Sequence, residues 1–266
     1  MTALTVAAIG VNSANLALGN ETYQLAGATF VRNVDTPNIY DANHVTHITA
    51  STPAEIDELL AAADREFTHA SHRRFGCDYR TPPEFISSLS LHGGYERSEA
   101  LIMLLEGDLI GSPPPFDIRP VLTEADWETY WELMILDWNE SHARRSQKPN
   151  EDVARQMWRA KKRKQPPVQN WFACHGERPV AYLNSWEGVD GVGQVEDLFC
   201  HLDYRNRGYA TALLHHCVRE ARARGAGPVV IVADPTDTPK DIYARMGWRP
   251  VAVTSGYLKN LGEQST

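Results

Sequence analysis

The stretch from Val195 to Arg224 constrains this chain more than any other. An apolar run, Val195-Glu196-Asp197-Leu198-Phe199-Cys200, leads toward Arg205-Asn206-Arg207-Gly208-Tyr209-Ala210, and helical periodicity follows from about Gly208 to Arg224. The order is strand, short Arg/Gly turn, helix N-terminus. The first N–H groups of a helix have no intrahelical partner, and the helix dipole adds partial positive charge there. Such a turn is a place to hold a phosphate. Gly208 lets the backbone approach an anion, Ala210 keeps the next position small, and Arg205 and Arg207 stand at the rim as charge-assisted donors.

The surrounding residues narrow what the phosphate belongs to. A dinucleotide site wants Gly-x-Gly-x-x-Gly with a later acidic residue, and a P-loop wants Gly-Lys-Ser/Thr. Neither pattern is present. Arg205-x-x-Gly208-x-Ala210 instead resembles the pyrophosphate-binding motif of the GNAT superfamily of acyl-CoA-dependent N-acyltransferases, Gln/Arg-x-x-Gly-x-Gly/Ala. Tyr243-x-x-x-Gly247-Trp248 is similar to the family's late Tyr-x-x-x-Gly-Phe signature. The resemblance covers roughly residues 116–260.

Composition bounds the alternatives. At 266 residues the chain is comfortable for two domains, and 42% hydrophobic content excludes disorder as its main state. No apolar run reaches the length of about 18 residues that a membrane helix needs. The N-terminus, Met1 to Gly10, lacks a basic n-region and reads as a strand or loose end rather than a signal peptide. The four cysteines have no paired spacing, which points to reduced thiols in a cytoplasmic protein and away from zinc. The net charge of −8 sits entirely in residues 1–112, with six Arg/Lys against fourteen Asp/Glu; residues 113–266 carry twenty of each. Nucleic acid is disfavoured as a partner. An acidic lobe suits a cationic amine, or is simply a soluble surface.

The clearest boundary is Gly111-Ser112-Pro113-Pro114-Pro115, a stiff extended linker. Residues 113–266 are read as the catalytic domain. Phe116–Val121 alternates like a strand. Thr123 caps a helix bearing Trp127, Tyr130, Trp131, Met134 and Trp138 at helical spacing. A second helix runs from Glu151 to about Lys164, its terminal Lys161-Lys162-Arg163-Lys164 read as a solvated last turn. A hairpin over 171–184, a Gly-rich turn at 188–193, the motif strand and helix, a buried strand at Val229–Ala233, a short helix carrying Tyr243 and a last hairpin complete the order. In residues 1–112, Phe85–Leu89, Gly94-Tyr95 and Ala100–Leu105 align with the late helix, Gly247-Trp248 and the last strand. That half resembles a degenerate GNAT-like domain: it has no glycine between Gly27 and Gly76 for a phosphate turn, and Ser90 stands where Tyr243 would. The expected fold is α/β with mixed sheets, in tandem GNAT-like lobes each built on a central twisted sheet flanked by helices.

N-acylation needs a base for the amine proton, donors for the thioester oxygen and a proton for the leaving thiolate. Glu196 and Asp197 are the base candidates. Alternation puts neighbours on opposite faces of a strand, so one is expected to face the cleft, with Glu196 sharing the parity of Leu198 and Cys200. The Glu-containing strand of histone-acetylating relatives, which Glu196–Cys200 resembles, favours Glu196. The resemblance further implies Tyr243 as acid, pantetheine contacts at Leu198, Phe199, Cys200 and Leu202, and a pyrophosphate cradle at Arg205, Asn206, Arg207, Gly208, Tyr209, Ala210 and Thr211. His215 and His216 read as packing or surface residues. The co-substrate is then acetyl-CoA, with no metal, and the acceptor a small-molecule amine. A protein or peptide amine, or acyl-CoA binding without turnover, are the competing readings. No membrane partner is expected, and the chain is a monomer or homodimer.

Overall fold

The computed structural model describes residues 1–91 and 93–262. The first half runs α1 (Ala3–Ala17), β1 (Glu21–Leu25), β2 (Ala28–Arg32), β3 (His44–Thr46), α2 (Pro53–Glu66), β4 (His72–Cys77), α3 (Pro83–Leu91) and β5 (Glu96–Leu105). The second runs β6 (Asp117–Pro120), α4 (Glu124–Arg144), α5 (Glu151–Arg163), β7 (Gln169–His175), β8 (Arg178–Val189), β9 (Val192–Cys200), α6 (Tyr209–Ala223), β10 (Val229–Ala233), α7 (Pro239–Met246) and β11 (Arg249–Asn260).

Among the described residues, eleven strands join one mixed sheet in the order β1-β2-β3-β4-β11-β5-β10-β9-β8-β7-β6. The order carries a two-fold repeat. β1-β2 and β2-β3 are antiparallel and β3-β4 parallel; β7-β8 and β8-β9 are antiparallel and β9-β10 parallel. At the centre the last strands trade places. β11 pairs with β4 of the first half, β5 pairs with β10 of the second, and β5 and β11 pair with each other from Arg249↔Leu104 to Leu258↔Glu96. The expected central sheets of the two lobes are therefore joined into one continuous sheet. The last hairpin anticipated after Gly247 is a single long strand, because β5 supplies the neighbour a hairpin would have provided.

Strand alternation divides the core between the two faces. On β5, Leu101, Met103 and Leu105 pack under α6 and α7, whereas Ile102 and Leu104 pack under α1. On β10, Val229, Ile231 and Ala233 take the first face and Val230 and Val232 the second. Burial on both faces explains the unbroken Val-Val-Ile-Val-Ala sequence. The aromatic stripe of α4 is core: Trp127, Tyr130 and Trp131 pack with Phe172, Tyr182 and Phe199. Both Thr52 and Thr123 close capping boxes, with Glu55 and Asp126.

The N-terminus is a helix, where a strand or loose end was expected. Thr2 caps it by accepting from the Thr5 N–H at 3.1 Å, and Leu4, Ala7, Ala8, Val11 and Ala14 form a helical stripe against β5, β8 and β10. Short runs such as Ala7-Ala8-Ile9 hid that period. Of all the corrections this one matters most to the site, because α1 walls it.

Candidate active site

β9 and β10 pair only at Val229↔Gly193 and Val230↔Gln194. Beyond them β9 continues to Cys200 and β10 to Ala233 without a further ladder, so the β10-facing edge of residues 195–200 is left unpaired. A gap between two parallel strands, closed at one end and facing a helix N-terminus at the other, can take an extended arm with its phosphate at the helix. Leu198, Phe199 and Cys200 lie on this edge. Leu198 and Cys200 side chains pack toward α6 and Phe199 toward α4, so no side chain of these three fills the strand gap. Leu202 opens a single 3-10 turn and is exposed.

The turn itself is shaped for an anion. Asn206 and Gly208 have positive φ, +60° and +93°, which Asn tolerates and Gly adopts freely. Gly208 is the N-cap of α6 and makes no side-chain cap bond. Among the described residues, the N–H groups of residues 206 to 211 find no protein acceptor. Such successive free donors form an anion nest. Ala210 and Thr211 are small residues of the first turn. Tyr209 is buried, stacks on Phe116 at 4.0 Å and bonds His175 at 2.7 Å, so its side chain anchors the helix. Arg205 corrects the sequence reading: its guanidinium is committed to Glu140 at 2.9 and 2.6 Å and to the Cys200 carbonyl at 3.0 Å. It braces the turn against α4 instead of reaching for phosphate. Arg207 lies over the Tyr204 ring at 5.4 Å.

The corresponding position in the first half is already filled. The Glu55 carboxylate accepts the N–H groups of Ser51 and Thr52, both at 3.0 Å, at the N-terminus of α2. A carboxylate of the chain's own occupies the place where a phosphate would sit, in addition to the missing glycine.

Beside the gap lies a cavity of about 320 Å³ between the two halves, walled by α1, α5, β3, β4, β5, β9 and β11. Glu196 and Asp197 both line it. Asp197 has φ +67°, and the β8-β9 register slips between Tyr182↔Phe199 and Asn184↔Glu196, with one extra residue on β9. This bulge turns two consecutive carboxylates to one face. It also separates Glu196 from Leu198 and Cys200, which face α6, so the expected parity does not hold. Asp197 is taken up structurally: it pairs with Lys161 and accepts from the Asn184 amide at 3.0 Å. Glu196 accepts from Gln194 at 3.1 Å, and the same amide reaches Asn12 of α1 at 3.2 Å. Burial, followed by the Asp197 charge, pushes the Glu196 carboxyl up to about 7. A carboxyl poised there is half deprotonated at neutral pH.

Tyr243 is buried beside Trp248, at 6.0 Å between rings. Burial and then the Glu196 charge hold its hydroxyl well above the usual phenol range, so it remains a proton donor. The remaining cavity groups were missed from sequence. Lys161 and Lys164 point inward from the basic run read as a solvated turn, and Asp41, Arg74 and Asn12 come from the first half. No tryptophan lines the cavity. His215 and His216 lie on α6, His216 against Trp171 at 4.3 Å. Among the described residues, no helix is long and apolar enough to cross a membrane, and no cluster of three potential metal ligands occurs.

Residues 127–248 match the acetyltransferase (GNAT) family model. No curated protein matches the chain in sequence. Among solved structures, a GCN5-related N-acetyltransferase from Kribbella flavida is similar over 98% of both chains, with 16% identity and a TM-score of 0.68. A conserved protein of unknown function from Staphylococcus epidermidis is similar over 91% of this chain and 94% of its own, with 14% identity and a TM-score of 0.67. A tandem GNAT protein from the clavulanic acid biosynthesis pathway is similar over 80% and 72%, at 12% identity and a TM-score of 0.55. At these identities the likeness is one of fold. With the unpaired β9 edge and the free N–H groups at α6, the family match identifies residues 127–248 as a GNAT acetyltransferase domain, of a family that uses an acyl-CoA as its co-substrate.

Proposed function

We propose that the chain transfers an acetyl group from acetyl-CoA to a primary amine of a small molecule, by direct attack with both substrates bound. The observation that carries this reading is the Glu196 carboxyl, held near neutrality at the junction of the strand gap and the cavity. Glu196 takes the proton from the acceptor ammonium. The freed nitrogen lone pair attacks the thioester carbonyl carbon, which a backbone N–H near Cys200 polarises. As the C–S bond breaks, the nitrogen gives its second proton to Glu196, which has already passed the first to solvent, and Tyr243 gives its hydroxyl proton to the departing thiolate; solvent then reprotonates Tyr243 and takes the second proton from Glu196. Residues 1–112 act as a non-catalytic partner domain whose α1, β3 and β4 close the acceptor cavity.

The size and walls of the cavity favour a small acceptor over a peptide, which would need an open groove. Thiol release from acetyl-CoA, measured across small amines and across lysine-containing and N-terminally free peptides, tests this. Turnover is expected with small amines alone. Peptide turnover at comparable kcat/KM would overturn the small-molecule reading, and acetyl-CoA binding without thiol release for any amine would favour a regulatory protein.

A further inference from the structure

The charged groups around the cavity are mostly spoken for. Arg74 pairs with Asp41, Lys161 with Asp197, Arg80 with Asp78 and Arg97 with Glu99. Two groups remain. Among the described residues, neither the Lys164 ammonium nor the Glu196 carboxyl has an opposite charge within 4 Å, and they do not pair with each other. Lys164 has three N–H donors to place. One goes to the Asn15 amide oxygen at 2.9 Å, and Asn15 is itself buried in α1. Burial lowers the Lys164 pKa, against the pull of Asp197 and Asp41. A half-buried ammonium that lines a cavity with a single neutral protein partner has donors left for an anion to complete its shell.

We infer that the acceptor is an amino carboxylic acid, its amine directed to Glu196 and its carboxylate held by Lys164. The inference rests on the transfer reading above and names the substrate class of the same site. It follows from two groups of opposite charge, neither of them paired within 4 Å among the described residues, in one small cavity. A simple amine would bring a third ammonium close to Lys161 and Lys164, whereas a zwitterion satisfies both ends at once. The arrangement also gives α1 a specific duty. Asn15 holds the ammonium that takes the carboxylate, and Asn12, through Gln194, steadies the carboxyl that takes the amine proton.

The test compares acetyl-CoA thiol release for α-, β- and γ-amino acids with that for the matching amino acid amides and decarboxylated amines. For the wild-type chain, kcat/KM is expected to be about 30-fold or more higher for the acids, as for loss of one partner of a buried charge pair. Lys164→Met is expected to erase that preference while leaving acetyl-CoA affinity unchanged, and Lys164→Arg to retain most of it. Amides or decarboxylated amines used as well as the acids would overturn the inference and leave the transfer reading standing. A preference for acids that survives Lys164→Met would overturn the role of Lys164. No thiol release with any amine would overturn the transfer reading and this inference together.

Discussion

Glu196 reaches the cavity because of its neighbour's backbone. Asp197 adopts φ +67°, a left-handed conformation that costs a non-glycine residue of the order of 1 kcal/mol, and the bulge it makes turns both carboxylates inward. Asp197 is engaged by Lys161 and Asn184, its charge helps to raise the Glu196 pKa, and Glu196 is the carboxylate left for the proposed role of base. Tyr243 has the complementary role in the proposed reaction: a phenol whose pKa is pushed up keeps its proton available for a thiolate. Tyr243→Phe preserves the packing on Trp248 and removes only the hydroxyl. Turnover is expected to fall about 10²-fold, in the range of a general acid, with acetyl-CoA affinity unchanged by calorimetry. Unchanged turnover would return Tyr243 to packing alone.

At the scale of elements, the phosphate site is a property of one strand, one turn and one helix. Gly208 is fixed there by its φ of +93° and by space, since a Cβ would meet the Pro114 Cγ at 2.8 Å. Gly208→Val is expected to weaken acetyl-CoA binding at least about 10-fold, or about 1.4 kcal/mol. Wild-type affinity in a folded variant would remove the turn from the binding site. This unit was legible in the sequence because its signals are local: a glycine at a forced φ, free N–H groups at a helix start, an apolar run before it. Thr123 was legible as a cap for the same reason. The bulge was not, because nothing in Glu196-Asp197 marks a departure from alternation. The inward lysines of α5 were not either. A basic helix end looks the same whether water or another helix faces it, and α1, from the far end of the chain, decides which.

For the whole molecule, the exchange of β5 and β11 is the main consequence of the repeat. Each half completes its sheet with the other's last strand, and the cavity proposed to take the acceptor lies where they meet. The repeat at Gly94 and Gly247 was visible in sequence, but strand exchange was not, since β5 pairs with residues 124 to 162 positions away. Residues 1–112 and 113–266 expressed separately are each expected to lack cooperative unfolding, because each loses the neighbour of its central strand. The intact chain is expected to unfold in one urea transition. Two separate transitions, or two stably folded fragments, would contradict the shared sheet.

The pH dependence of kcat/KM for amine acetylation, in the wild-type chain and in Glu196→Gln, tests the central claim most directly. A base must be deprotonated to act, so the wild-type rate is expected to rise with pH through a limb centred near 7. In Glu196→Gln that limb is expected to vanish, leaving a rate at least about 10²-fold lower that follows only the acceptor amine's own ionisation. The same limb at the same position in Glu196→Gln would show that another group takes the proton.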